Sequence, residues 1–241
     1  SIDYLENLDC PIYKIASPEL IDLPLIEKAA QTGKPLILST GMANDQEINE
    51  AVEIVRSSGC KKYALLHCVS AYPAQPDQSN LKCITKLYDK FKCITGLSDH
   101  TTGISVPIAA AALGAKIIEK HLTLSRGNGA VDSIFSIEPD ELTKVVKTTK
   151  IIYQGIGDGS IGTNESEINS LKYRRSIYAT EDIKKGDFFS EKNIASIRPS
   201  FGLPPKYIPK LYGTRSEKTI KKGQPLDLSM VGKRLKQTIL S

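Results

Sequence analysis

The sequence predicts an α/β fold in which parallel strands alternate with helices. Short apolar runs of strand length recur between residues 11 and 122, separated by segments with helical periodicity. Most of these runs end in polar side chains, which is typical of (β/α)₈ barrel enzymes, whose chemistry lies at the carboxyl ends of the strands. No G-x-G-x-x-G or Walker sequence follows a strand, which disfavours a nucleotide-binding open sheet. We therefore expect five of the eight βα units of a TIM barrel, with the first units missing before residue 1. An open doubly wound sheet is the alternative.

The pattern predicts five strands, each followed by a helix. The strands cover residues 11–16, 34–39 and 63–69, the apolar run after Cys93, and residues 116–122. The helices cover residues 23–32, 45–58, 80–91, 104–113 and 138–153. Gly114 is placed to end the fourth helix. Consecutive βα units of this kind form a parallel sheet with helical crossovers.

Two histidines end neighbouring predicted strands. His100 completes Ser98-Asp99-His100, and His121 completes Glu119-Lys120-His121. Neighbouring parallel strands end at the same edge of a sheet, so the two imidazoles could share one metal ion. Such a donor set suits Mn²⁺, Fe²⁺ or Zn²⁺ better than Ca²⁺, and open positions on the ion would permit Lewis-acid catalysis. His67, inside the strand LLHC, is interpreted as structural.

Further polar residues follow the other strands. A lysine with several hydroxyls and helix N-termini can bind phosphate or carboxylate, although a serine at a strand end often only caps the next helix. These residues are Lys14, Ser17, Ser39, Ser70 and Ser98. Glu19 and Asp132 could act as acid–base groups or accept sugar hydroxyls, while Asp132 could equally cap a turn. Arg198 could grip a carbonyl or carboxylate with its guanidinium, or be a surface charge.

Composition divides the chain into two modules. Residues 155–167 are rich in Gly, Ser and Asn. The sequence after them consists of short β-type runs broken by Pro and Gly. Residues 172–241 carry 16 Lys and Arg against 6 Asp and Glu. We expect barrel units over residues 1–155, a linker over 156–173 and a β-rich module over 174–241. The near-repeated Ile-Lys-Lys-Gly at 183–186 and 220–223 predicts two turns at corresponding places in that module.

Several classes of protein are disfavoured by composition. No apolar run reaches the roughly 18–20 residues of a membrane span. The five cysteines are odd in number and include no C-x-x-C pair, which fits a reducing cytoplasm better than a disulfide framework. The basic residues lack interleaved aromatic residues, so nucleic-acid binding is disfavoured. A non-catalytic anion- or nucleic-acid-binding fragment remains the alternative from another class.

The sequence resembles the sialic acid synthase (nonulosonate synthase) family. The segments that carry the resemblance are, in order, YKIASPEL, ILSTGM, LLHCVSAYP, GLSDHTTGI, ALGAKIIEKHLTL and RRSIYATEDIKKGD with IRPSFGLPP. They cover essentially the whole chain. The resemblance implies a TIM barrel followed by an antifreeze-like (SAF) domain. It also implies that phosphoenolpyruvate condenses with an N-acetylated amino sugar, giving a nine-carbon sugar acid and phosphate. A domain-swapped homodimer, in which each C-terminal domain covers the partner's barrel, is implied as well.

The same resemblance implies roles for individual residues. His100 and His121 would bind Mn²⁺ or Mg²⁺, and Lys14, with a catalytic role as well, would hold phosphoenolpyruvate together with Ser17, Ser39, Ser70 and Ser98. Glu19, Tyr72 and Asp132 would face the sugar, with Glu19 handling the proton of a water. Arg198 would reach the N-acetyl group from the other subunit.

The segment after His121 separates substrates within the family. Val131-Asp132-Ser133-Ile134-Phe135-Ser136 looks like the pseudaminic acid synthase branch. Apolar Ile134 and Phe135 would suit a methyl-bearing 6-deoxy sugar, because a hydroxyl there would lose its hydrogen bonds. The expected substrate is 2,4-diacetamido-2,4,6-trideoxy-L-altrose, with N-acetylneuraminate or legionaminate synthesis as the alternatives. A further alternative is a barrel synthase that uses phosphoenolpyruvate to make a 3-deoxy sugar acid phosphate.

Overall fold

The computed structural model describes residues 2–233, 236 and 237. It divides into two compact units, Ser1–Gly159 and Ser160–Ser241. Residues 1, 234, 235 and 238–241 of the predicted modules 1–155 and 174–241 lie outside the described residues. Every helix within the described residues falls short of the length and apolar character that a membrane crossing requires.

The described residues of the first unit form five strands and six α-helices. The strands are β1 (Tyr13–Ile15), β2 (Leu36–Ser39), β3 (Tyr63–Cys68), β4 (Ile94–Asp99) and β5 (Ile117–Lys120). The helices are α1 (Ile2–Glu6), α2 (Leu23–Gln31), α3 (Asp45–Ser57), α4 (Lys82–Phe91), α5 (Ser105–Ala112) and α6 (Pro139–Ile156). Short 3₁₀ helices follow three of the strands, at Ser17–Ile21, Pro76–Gln78 and Arg126–Asn128. The alternation predicted from the sequence is confirmed.

All five strands are parallel and pair in chain order, from β1 to β5. In the register, Lys14 lies beside Ile37, Ile37 beside Ala64, and Ala64 beside Ile94. Side chains alternate between the two faces of a strand, so Leu38, Leu65 and Leu97 share one face. That face is buried under the helices. The opposite face, here called the inner face, carries Lys14, Ser39, Ser98 and Glu119.

The sheet is strongly curved. Four inter-strand spacings would separate β1 from β5 by about 19 Å in a flat sheet, a gap that a lysine and a glutamate cannot span. Yet Lys14 Nζ of β1 lies 3.5 Å from Glu119 Oε1 of β5. The inner face is therefore concave, as in part of a barrel. The closed eight-stranded barrel remains a prediction.

Local sequence explains where the helices begin. Asn44 accepts hydrogen bonds from the N–H groups of Gln46 and Glu47, and the Glu47 carboxylate accepts one from the Asn44 N–H, so a capping box starts α3. Between α4, α5 and the sheet, Ile84, Leu97 and Ala110 form a small buried cluster. At the amino ends of the strands, apolar residues including Ile37, Ala64 and Ile117 line a cavity of about 880 Å³.

The second unit has less regular structure than predicted. Its described residues include two antiparallel strands, β6 (Ser176–Ala179) and β7 (Ile194–Ile197), and a short α-helix, α7 (Ile208–Leu211). A 3₁₀ helix at Glu165–Tyr173 occupies much of the predicted linker. Reciprocal hydrogen bonds between Asn164 and Glu167 start this helix, which is why the segment is ordered despite its polar composition.

The repeated Ile-Lys-Lys-Gly segments pair with each other. The N–H of Ile183 donates to the carbonyl of Ile220 at 2.8 Å, and the reverse bond has the same length. Gly186 and Gly223 both have left-handed backbones, with φ of 93° and 82°. These are the predicted turns at corresponding places.

Candidate active site

The carboxyl end of the inner face gathers residues from both edges of the sheet. Glu119 Oε1 accepts a hydrogen bond from Ser98 Oγ at 2.7 Å and lies 3.5 Å from the Lys14 ammonium. The Lys14 and Glu119 side chains are 30% and 43% exposed, so both remain accessible to a ligand. Ser39 Oγ is buried and has no hydrogen-bond partner among the residues that the structure describes. The partly exposed Lys14 ammonium suits an anionic ligand such as phosphate or carboxylate.

A glycine packs tightly among the hydroxyls next to this group. Gly41 follows β2, and its N–H donates to Ser17 Oγ at 3.0 Å. A Cβ on Gly41 would lie 2.3 Å from Ser70 Oγ and 3.2 Å from Cys68 Sγ. Only a glycine leaves room for these side chains, so Gly41 holds Ser17 and Ser70 in place.

The two histidines lie side by side. The ring centroids of His100 and His121 are 5.3 Å apart. Metal–nitrogen bonds of about 2.1 Å to two imidazoles place their centroids roughly 4.5–5.5 Å apart, so the observed spacing fits a shared ion. His100 Nδ1 lies 2.9 Å from the carbonyl oxygen of Val69. Because a carbonyl can only accept, Nδ1 carries the proton, and the lone pair on Nε2 is free for a metal.

Burial and hydrogen bonds shift the pKa values of His100 and Cys68. Burial opposes the charged imidazole, but hydrogen bonds to Cys68 and Val69 outweigh it and raise the pKa of His100. Burial likewise opposes ionisation of Cys68, yet hydrogen bonds with His100, Ser17 and Ser70 lower the pKa of the thiol. Within the described residues, no group of three or more His, Cys, Asp and Glu could hold a metal. Substrate and water oxygens would therefore complete the coordination of an ion on the two imidazoles.

Four rings form an aromatic cluster: Tyr72, His100, His121 and Phe135. The ring centroids of Tyr72 and His100 are 4.3 Å apart, and those of His121 and Phe135 are 4.9 Å apart. Phe135 is only 2% exposed, whereas Ile134 is 71% exposed. The expectation that both face the sugar is therefore corrected, since Phe135 supports the imidazoles and Ile134 alone of the two offers surface.

The remaining predicted residues lie in different places. Asp132 Oδ2 is 3.7 Å from His121 Nδ1, in a loop where Asp132 has a φ of 64°. Glu19 is exposed on the 3₁₀ turn that contains Ser17. Arg198 is an exposed residue of the second unit. Lys14, Ser98, His100 and His121 are brought to one end of the inner face, while the roles of all these residues stay predictions.

Sequence reasoning missed three residues of this site. Glu119 was noticed in its polar cluster but given no role, although strand alternation places it on the same face as His121. Strand alternation in the same way places Cys68, with Leu66, on the inner face of β3. Gly41 gave no signal, because its close contacts depend on tertiary packing.

Comparison with known proteins identifies the family of the chain. The NeuB family model matches residues 1–161, and the SAF domain model matches residues 174–239. The pseudaminic acid synthase of Campylobacter jejuni is 40% identical over 225 residues, which are 93% of this chain and 66% of that protein. The N,N'-diacetyllegionaminic acid synthase of the same species is 43% identical over 206 residues, 84% of this chain and 62% of that protein.

The chain is also similar to a solved structure of a sialic acid synthetase. The N-acetylneuraminic acid synthetase of Leptospira borgpetersenii, in complex with citrate, is 39% identical, with a TM-score of 0.67. The match covers 70% of this chain and 59% of that one. The chain thus spans about two thirds of the length of the synthases it matches. Because the family model matches more than half of the residues, the chain belongs to the NeuB family and carries a SAF domain after it.

Proposed function

We propose that the inner face condenses phosphoenolpyruvate with an N-acetylated amino sugar, forming a nonulosonic acid and releasing phosphate. The observation that carries the proposal is the convergence of Lys14, Ser98 and Glu119 beside the His100–His121 pair. An anion site and a metal site side by side are what this reaction needs, because a phosphorylated enol must meet an activated aldehyde.

The anion site holds phosphoenolpyruvate in this proposal. The Lys14 ammonium offsets the charge of its phosphate or carboxylate, and the Ser39 hydroxyl, which is buried in the absence of substrate, has to become exposed to bond with it. Ser17 and Ser70 line the neighbouring turn next to Gly41. These two serines are held in place before the substrate arrives, so they reorganise little during the reaction.

His100 and His121 hold a divalent cation, Mn²⁺ or Mg²⁺. Such an ion supplies Lewis-acid polarisation of the aldehyde oxygen of the open-chain sugar. The support comes from the ring spacing of 5.3 Å and from the hydrogen bond of His100 to Val69. Tyr72 and Asp132 adjoin the two imidazoles, where they contact the sugar in this proposal.

The chemistry forms one carbon–carbon bond and breaks one carbon–oxygen bond. C3 of phosphoenolpyruvate attacks the aldehyde carbon, water adds at C2, and phosphate leaves with the bridging oxygen. A carboxylate takes the proton of the water. Two are available: Glu19 on the exposed turn, and Glu119, which already accepts a hydrogen bond from Ser98 and faces Lys14.

We propose 2,4-diacetamido-2,4,6-trideoxy-L-altrose as the sugar and pseudaminic acid as the product. The similarity to pseudaminic acid synthases supports this choice, and exposed Ile134 offers apolar surface to a 6-methyl group. The sugars that lead to legionaminate and N-acetylneuraminate are the alternatives, since a legionaminic acid synthase and an N-acetylneuraminic acid synthetase both match the chain. A hydroxyl in place of the methyl group would have to be desolvated against Ile134.

The remaining features concern the whole protein. We propose that the curved sheet belongs to a closed (β/α)₈ barrel, and that a domain-swapped homodimer brings Arg198 of one subunit to the N-acetyl group bound by the other. A cytoplasmic location is consistent with the five free cysteines.

The test is a product assay. The protein is incubated with phosphoenolpyruvate, Mn²⁺ and each of the three amino sugars, and products are identified by mass spectrometry. We expect phosphate release and a nine-carbon acid, fastest with the trideoxy sugar, and no turnover in the H121A variant. Turnover by H121A at the wild-type rate would end the metal assignment, and absence of a nine-carbon acid with every sugar would end the proposed function.

A further inference from the structure

A buried ion pair lies directly behind the two histidines. Asp99 immediately precedes His100, and Lys120 immediately precedes His121. Lys120 Nζ donates to Asp99 Oδ2 at 2.6 Å, and the two side chains are only 4% and 2% exposed. Strand alternation directs both of them to the face of β4 and β5 opposite the inner face. The pair therefore links the carboxyl ends of these strands without entering the site.

The pair also links the residues on both sides of His100. Lys120 Nζ donates a second hydrogen bond to the carbonyl oxygen of Thr101, at 2.5 Å. Asp99 Oδ1 accepts from both the N–H and the hydroxyl of Thr101, at 3.0 and 2.9 Å. Lys120, which precedes His121, is thus hydrogen-bonded to both neighbours of His100, Asp99 and Thr101.

Stability alone gives a weak reason for this arrangement. Desolvating two charges offsets most of their attraction, and apolar replacements of a buried ion pair are often neutral or stabilising. What an ion pair offers beyond apolar packing is directionality, because its short hydrogen bonds fix atoms to within tenths of an ångström. A shared metal requires accuracy of that order between its ligands.

We propose that Asp99 and Lys120 are positioning residues that fix the separation of the His100 and His121 rings for a common divalent cation. This inference rests on the metal site of the proposed function. The ion pair reinforces the backbone pairing of the same two residues at the ends of β4 and β5, and in this proposal it thereby holds the rings at their 5.3 Å spacing. It touches neither substrate nor metal.

The test compares metal binding with stability in three forms of the protein. The D99N/K120M variant replaces the ion pair by neutral groups of similar size, which avoids leaving one charge buried alone. The I84A variant is the matched control, because Ile84 is fully buried against β4 but takes no part in the ion pair. Mn²⁺ is titrated into each form and followed by electron paramagnetic resonance, while thermal melting monitors the fold.

We expect D99N/K120M to bind Mn²⁺ about 10- to 100-fold more weakly than the wild type, the usual effect of losing support behind a metal ligand. Its bound-ion spectrum should broaden as the geometry becomes heterogeneous. I84A should melt at a lower temperature yet keep wild-type affinity and spectrum. Wild-type affinity and spectrum in D99N/K120M would overturn the proposal, and so would an equal loss of affinity in I84A.

A milder variant serves if the double variant does not fold. T101V removes only the Thr101 hydroxyl that donates to Asp99, and we expect a severalfold loss of Mn²⁺ affinity. Unchanged affinity in T101V would then overturn the proposal. If the wild-type protein itself binds no Mn²⁺, the metal site of the proposed function fails instead, so the two failures are distinguishable.

Discussion

Replacing Gly41 by alanine tests the geometry of the anion site. A Cβ there would lie 2.3 Å from Ser70 Oγ, 2.8 Å from Ser17 Oγ and 3.2 Å from Cys68 Sγ. Real Cβ contacts essentially never fall below 3.0 Å, so Ser17 and Ser70 both have to move. The Gly41 N–H would also lose its alignment with Ser17 Oγ.

The size of the effect follows from these contacts. Overpacking of this kind costs about 1–3 kcal/mol. The backbone of Gly41 is not left-handed, so alanine adds no conformational strain and recovers about 0.4–1 kcal/mol by restricting the unfolded chain. We therefore expect G41A to lower the free energy of unfolding by about 1.3 kcal/mol, the middle of a range of about 0–2.6 kcal/mol. Displacement of two hydroxyls that we propose to line the phosphoenolpyruvate site should raise the Kd for phosphoenolpyruvate about tenfold or more.

Two measurements check this prediction. Urea denaturation gives the free energy of unfolding, and isothermal titration calorimetry gives the Kd for phosphoenolpyruvate. The control is G155A, because Gly155 lies in α6 and, apart from neighbouring backbone of that helix, an added Cβ would have no described atom within 4 Å. Alanine there should stabilise the protein by about 0.5–1 kcal/mol and leave the Kd unchanged. Wild-type stability and Kd in G41A would refute the inferred packing of Ser17 and Ser70.

Three further predictions concern the aromatic cluster, a buried histidine and Glu119. F135A should destabilise the protein by about 3 kcal/mol in thermal unfolding and weaken Mn²⁺ binding, because it removes a buried ring packed on His121, while F135L should restore most of the stability. Burial lowers the pKa of His67 below its usual 6.5, despite a hydrogen bond to the carbonyl of Ser79. As the pH falls, the unfolded chain therefore binds the proton before the folded chain does. The contribution of His67 to the free energy of unfolding should be complete above about pH 6.5 and should decrease as the pH falls towards the pKa of the folded state. H67Q should flatten that part of a curve of stability against pH, and an unchanged curve would contradict the role of His67. E119Q should lower kcat at least tenfold in a phosphate-release assay with little change in melting temperature, because its side chain is largely accessible, and an unchanged kcat would remove Glu119 from the mechanism.

Most strands and helices of the first unit could be predicted because each has a clear local signal, but the short helix α1 (Ile2–Glu6) was not among the predicted ones. The apolar runs at 34–39 and 63–69 became β2 and β3, and the polar ends of β4 and β5 correctly placed His100 beside His121. Strand alternation and chain order were sufficient for that pairing.

Features that depend on curvature or on tertiary packing could not be predicted. Lys14 meets Glu119 only because the two edges of the sheet approach each other, which no local pattern shows. The burial of Phe135 depends on a loop that folds back over the imidazoles. The 3₁₀ helix at Glu165–Tyr173 was missed for another reason, since Asn164 and Glu167 have the spacing of a capping box and this signal was outweighed by the polar composition.

The fate of one oxygen atom tests the central claim most directly. Phosphoenolpyruvate labelled with ¹⁸O at the oxygen that bridges carbon and phosphorus is incubated with the protein, Mn²⁺ and the trideoxy diacetamido sugar. If C3 attacks the aldehyde and water adds at C2, mass spectrometry will find the label in the released phosphate and none in the sugar acid. Label retained in the sugar acid, or no release of phosphate, would contradict the account.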